Sequence, residues 1–167
     1  MANCGISLFS IIYLGLLASF VLAIKIEFGI WYLLMFVFVV KVADIGAYTV
    51  GTLSGWHKFS PVISPGKTWE GMIGAVVFAV IVSYIFARFS GIMTWKTSIV
   101  FGVCFAFIGQ MGDLAESLIK RDAMEKDSSK TVPGFGGVLD VIDSVLVSAV
   151  FAYLFMVFAG HGGRLIN

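Results

Sequence analysis

MIGAVVFAVIVSYIFARF, residues 72–89, holds a single charged side chain, Arg88. A bilayer core is crossed by about 20 apolar residues in helical form, and this stretch reads as such a span. Four more stretches share the pattern. Residues 6–24 (Ile6–Ile24) are apolar throughout. A second stretch runs from about Phe28 through the Phe36–Val40 block to about Leu53, with Lys41 and Asp44 inside it. Another runs from about Thr97 to Lys120, beginning apolar and ending polar at Asp113 and Glu116. The last covers about Leu139–Ala159, with Asp140 and Asp143 in its first turn. Irregular or strand structure is not expected at membrane depth, because lipid offers no partner to unpaired backbone groups.

The bulk composition agrees. The chain has 167 residues, 59% hydrophobic and 13% charged, with a mean hydropathy of +1.00. Soluble domains average roughly 45–50% apolar and about 25% charged. A domain of this size cannot bury such an excess, so the excess faces lipid. The expected fold is all-α: a polytopic integral membrane protein of about five transmembrane helices, forming one domain over residues 1–167. A net charge of +1 gives no basic surface for nucleic acid. Cys4 and Cys104 lack CxxC spacing and read as packing or lipid-facing residues. No Lys or Arg precedes the first apolar run, and no clean cleavage site follows it, so it reads as a retained helix rather than a signal peptide.

Alternating spans set residues 55–71 and 121–137 on one side, near Lys58, Lys67, Lys120, Arg121, Lys126 and Lys130. The other side holds Lys25, Arg88, Lys96 and Arg164. Six cations against four place the first set in the cytoplasm by the positive-inside bias.

Polar residues crowd that side. Asp113, Glu116, Ser117 and Lys120 are spaced i, i+3, i+4 and i+7 and form one stripe on a helix. Asp140 and Asp143 stand one turn apart, and Ser144 and Ser148 continue their face. Carboxylates at membrane depth are costly and face a protein interior or a wet cavity. Two carboxylate-bearing helix ends can converge on a hard cation such as Mg²⁺, which takes oxygen ligands and keeps waters or substrate phosphates. The plainer alternative is that Asp140 and Asp143 complement a helix macrodipole and that Lys120 and Arg121 anchor the chain at the membrane surface.

A second cluster spans Lys41 to Gly71. Lys41 and Asp44, at i and i+3, can neutralise each other, and Tyr48 shares their face. Gly66-Lys67-Thr68 invites a phosphate-loop reading, which fails because Pro61 stands where the Walker pattern needs glycine. Trp69 reads equally as an interfacial anchor, and Ser64-Pro65 as the start of the third helix. His57 reads as a lone, solvated histidine, and His161 has no evident partner. No Ser/His/Asp or Cys/His triad can be assembled.

Taken together, the two clusters resemble a known family. Ser117-Leu-Ile-Lys120-Arg121, then Lys126-Asp127, then Pro133-Gly-Phe135-Gly-Gly137 with Asp140 and Asp143, is similar to the motif of phosphatidate cytidylyltransferases. That motif reads S-x-x-K-R-x-x-x-x-K-D, a short spacer, and P-G-H-G-G-x-x-D-R-x-D. Asp44-Ile-Gly-Ala-Tyr48-Thr-Val-Gly51 resembles the family's D-x-x-A-Y-x-x-G, and Ile63 through Gly71 resembles I-S-P-K-K-T-W-E-G. The resemblance covers about Asp44 to Ser144. The sequence departs at Phe135, Val141 and Gly66, where the family has histidine, arginine and lysine. Family members also carry additional helices ahead of the Asp44 element, which leaves open a fragment, a minimal version or a degenerate copy.

The resemblance implies cytidylyl transfer from CTP to phosphatidic acid, giving CDP-diacylglycerol and pyrophosphate. It implies Asp113, Asp140 and Asp143 as ligands of Mg²⁺, alone or with a second cation. Lys120 and Arg121 would join those acids in catalysis, and Lys126 would hold phosphate. Asp44, Ser64, Lys67, Thr68, Ser117 and Asp127 would line the substrate site. The implied setting is a bacterial inner membrane with the site on its cytoplasmic side, in contact with the bilayer, in a homodimer. Three rivals stand beside it: a degenerate or truncated paralogue acting as a non-catalytic membrane subunit, a cation transporter using the intramembrane acids, and a polyprenol kinase.

Overall fold

The computed structural model describes residues 2–60, 64–122 and 138–162. Five long helices follow in chain order: α1 (Ala2–Phe28), α2 (Ile30–Ser54), α3 (Trp69–Ser90), α4 (Trp95–Asp122) and α5 (Val138–Gly162). Each coincides with one of the five expected spans, most of them extended by a few residues at their ends, while α2 begins two residues later than expected, after Gly29. Among the described residues, α2, α3 and the Trp95–Ala115 part of α4 are long and apolar enough to cross a membrane. The protein is an all-α integral membrane protein.

One addition was not expected. Between α2 and α3 the chain forms a short antiparallel hairpin, β1 (Lys58–Ser60) with β2 (Ser64–Thr68), registering Lys58 against Thr68 and Ser60 against Ser64. Ser64 and Pro65 therefore belong to β2 and not to the start of α3. The helix begins at Trp69, where Thr68 caps it by accepting a hydrogen bond from Gly71 N–H at 3.1 Å. The hairpin bridges two helix ends and its strands pair with each other, so the rule against unpaired backbone in lipid still holds.

The helices pack through small residues and aromatic rings. Gly46 and Gly74 bring the α2 and α3 backbones together: a Cβ added at Gly46 would lie 2.9 Å from the Gly74 carbonyl, and one at Gly74 2.7 Å from the Gly46 carbonyl. Such close approach is the usual basis of helix association where no hydrophobic force acts between helices. Ser83 on α3 donates to the Ser98 carbonyl of α4 at 2.7 Å, satisfying a buried hydroxyl. Phe36, Phe101 and Phe105 form the fully buried centre, Phe101 and Phe105 stacking at 4.2 Å. At the end away from the hairpin, Gly29 (φ 90°) turns α1 into α2, and the Tyr32 hydroxyl donates to the Ile92 carbonyl between α3 and α4. Phe89 and Leu53, 89% and 84% exposed, show where the surplus apolar surface goes: outward.

Candidate active site

The hairpin places its side chains over a cavity of about 410 Å³ lined by residues of α2, α3, α4 and the first turns of α5. That volume lies within the range of small-molecule sites, roughly 300–1,000 Å³. From α2 come Lys41, Asp44 and Tyr48; from the hairpin Ser64, Lys67 and Thr68; from α4 Gln110 and Asp113; from α5 Ser144. The Lys41–Gly71 cluster, Asp113 of α4 and Ser144 of α5, separate in sequence, thus meet in one chamber.

Two hydrogen-bonded groups organise its walls. Lys41 Nζ lies 3.4 Å from Asp44 Oδ2 and donates to Ser144 Oγ at 2.8 Å. Ser144 Oγ in turn donates to Asp44 Oδ2 at 3.2 Å, tying α5 to α2. The expected neutralisation of Lys41 by Asp44 is present, with a hydroxyl from another helix added to it. Across the cavity, Lys67 Nζ donates to the Gln110 carbonyl at 2.9 Å and pairs with Asp113 Oδ2 at 2.5 Å. Gln110 is buried while Asp113 remains well exposed. The described walls therefore carry two ammonium groups and two carboxylates, joined as two pairs.

Thr68 lines the cavity; its oxygen accepts the α3 cap bond from Gly71 N–H, and its O–H remains able to donate. Ser64 and the exposed Gly66 also line it, and Phe59 closes one side, packed edge-on against Trp69 with ring centres 4.8 Å apart. Trp69 is therefore engaged with the hairpin as well as half exposed. Ser117, one turn beyond Asp113, is half-buried and does not line the chamber.

Other expected site residues lie on described backbone without described side chains. Lys120 and Arg121 fall in the last turn of α4, and Asp140, Val141 and Asp143 in the first turns of α5. Asp140 stands one helical turn before Ser144, which itself lines the cavity. Lys126, Asp127 and Phe135 lie outside the described residues.

Several lining residues were not singled out from sequence as site residues, Gln110 and Ser144 among them. Gln110 contributes a backbone carbonyl, which no side-chain pattern announces. Ser144 was visible only as a continuation of the Asp140/Asp143 face. His57 requires a correction. It is not a lone histidine: its Nδ1 lies 2.7 Å from Glu70 Oε1.

Oxygen donors dominate the acidic wall, and a hard cation suits them. Among the described residues no group of three His, Cys, Asp or Glu side chains converges. Asp113, a described carboxylate that is accessible in the cavity, is of the kind Mg²⁺ takes, since this ion usually uses one or two protein carboxylates and completes its shell with waters and substrate phosphate.

The cytidylyltransferase family model matches residues 1–159. The phosphatidate cytidylyltransferase of Haemophilus influenzae is 42% identical over 133 residues, which are 76% of this chain and 46% of that protein. Its namesake in Mycobacterium bovis is 34% identical over 155 residues, 92% of this chain and 51% of that one. The Staphylococcus saprophyticus protein of the same name is 40% identical over 146 residues, covering 86% and 55%. The chain spans about half the length of these curated relatives. It belongs to the cytidylyltransferase family.

Proposed function

We propose that this member of the cytidylyltransferase family transfers the cytidylyl group of CTP to phosphatidic acid. A phosphate oxygen of the lipid attacks the α-phosphorus of CTP. The bond from that phosphorus to the bridging oxygen breaks, and the products are CDP-diacylglycerol and pyrophosphate. No protein nucleophile is needed. The work left to the protein is alignment and the neutralisation of charge spread over crowded phosphates.

One observation carries the reading: Lys67 of the hairpin reaches Asp113 of α4 across a cavity that also takes in Asp44 and Ser144. Side chains suited to phosphate and to a cation share one chamber, which supports the reading. Lys67 would meet a phosphate as a mobile point charge, and Arg121, Lys120 and Lys126 would supply further cations from the α4 end. Ser64 and the Thr68 O–H would donate to phosphate oxygens. Asp113, Asp140 and Asp143 would hold Mg²⁺, alone or with a second cation. The metal would supply charge neutralisation at the phosphates of CTP. Asp44 would line the chamber with its charge balanced by Lys41 and Ser144. An open cavity at the helix ends suits both substrates, since CTP arrives from water and the lipid from the leaflet. We place the site on the cytoplasmic face of a bacterial inner membrane, in a homodimer.

The test is turnover of CTP and phosphatidate in membranes carrying the 167-residue chain with Mg²⁺, beside an Asp140→Asn control. Product from the first and little from the second is expected; equal signals would sink the proposal. A second reading, a non-catalytic subunit that keeps the family fold, is favoured by Phe135 and Val141, which remove two potential phosphate partners. Absence of Mg²⁺-dependent CTP binding would support it.

A further inference from the structure

The hairpin that carries Ser64, Lys67 and Thr68 enters at His57 and leaves at Trp69, and Glu70 holds these two points together. Its Oε1 lies 2.7 Å from His57 Nδ1, and its two carboxylate oxygens accept from the His57 backbone N–H at 3.3 and 3.2 Å. The Trp69 N–H donates to the His57 carbonyl at 3.0 Å, closing the ring of contacts. An exposed side-chain pair of this kind contributes little in general. Glu70 differs in two respects: it also grips a backbone N–H, and its own position is set by the first turn of α3, which Thr68 caps. It therefore fastens the hairpin root to a rigid helix start.

We infer that Glu70 is a positioning residue, which sets where the Lys67 ammonium stands in the cavity by fixing the root of the hairpin. Lys67 lies next to the cap and three residues before Glu70, and its Nζ makes its contacts on another helix, with Gln110 and Asp113. A shift of the hairpin root moves Lys67 relative to α4, and misplacement by about 1 Å at such a site can cost about 10²-fold in rate. The consequence for turnover rests on the function proposed above; the consequence for the position of Lys67 does not.

The experiment has two arms on the full chain. In detergent, the Lys67 amine is labelled with an amine-reactive ester and quantified by peptide mass spectrometry, with exposed Lys25 and Lys96 as references. Glu70→Ala is expected to speed Lys67 labelling about tenfold, at the scale of losing charge-assisted contacts, and to leave the two references unchanged. Glu70→Gln, which keeps an acceptor oxygen for the His57 N–H, should stay within about threefold of wild type. His57→Ala, which keeps its backbone N–H, should fall between them.

In the turnover arm, Glu70→Ala should lower kcat/KM for CTP about tenfold in the native background and less than about twofold when Lys67 is already Ala, since residues acting through one another are not additive. Unchanged Lys67 labelling in Glu70→Ala overturns the inference, as does an undiminished loss in the Lys67→Ala background. If the native chain turns over no CTP, the proposed function falls, and the labelling arm alone decides the role of Glu70.

Discussion

Two lysine–aspartate pairs face the same cavity, one made within a single helix and the other between two distant segments. Lys41 and Asp44 are neighbours on α2, equally exposed at 32% each, and share a third partner in Ser144. Lys67 and Asp113 come from the hairpin and from α4, and their exposures differ, 12% for the lysine and 43% for the acid. The first pair is a closed network in which every charge is answered by its own helix or by α5. In the second, the acid remains the more accessible partner and the lysine is anchored by a backbone carbonyl besides. A cation or a phosphate entering the chamber meets the second pair with a group still open to it. The lesson is that an ion pair of ordinary geometry can be structural or functional, and that accessibility and the rigidity of its carriers separate the two.

Substitutions can break this contrast. The largest effect is expected from Asp113→Asn, which keeps the size of the side chain and removes the accessible carboxylate. CTP turnover in membranes should fall by about 10²-fold or more, in the range seen when an electrostatic stabiliser is deleted, while the thermal midpoint in detergent moves by only a few degrees. A midpoint collapse with proportionate loss of activity would make this pair structural like the other.

Asp44→Asn should show the reverse pattern. Breaking a fully buried pair costs about 3–5 kcal/mol, but a third of each side chain is exposed here, so solvent screening reduces the expected cost to about 1–2 kcal/mol. A lowered thermal midpoint with a turnover loss smaller than that of Asp113→Asn is the expected outcome. Equal turnover losses would erase the distinction.

Ser144→Ala is the mildest. It removes one hydroxyl from the Lys41–Asp44 network and leaves the ion pair, for a loss of about 1 kcal/mol. A stability change well above that would show that the Ser144 hydroxyl, which ties α5 to α2, holds the network together more than the ion pair within α2 does.

Much of the fold was legible beforehand. Span length and hydropathy are local properties, and the residues at 72–89 and their four counterparts needed no partner to declare themselves. The hairpin was not legible, because strands of three and five residues are too short to show a period, and their pairing is nonlocal. For the same reason His57 looked solitary: its partner Glu70 lies on the far side of the hairpin. At the site, the Lys41–Asp44 contact followed from helical spacing. The contact of Lys67 with Asp113 did not, nor did the use of the Gln110 carbonyl, which has no side-chain signature.

The sequence by itself determined that the chain crosses a membrane as helices, and that most of its acids and cations fall toward one set of helix ends. Hydrophobicity and periodicity act over neighbouring residues, so they can be read along the chain. Only the tertiary structure decided which of those charges meet. The close crossing of α2 on α3 at Gly46 and Gly74, and the fold-back of the hairpin between their ends, bring Lys67 to Asp113. That meeting depends on backbones approaching in space, a condition no stretch of sequence specifies alone.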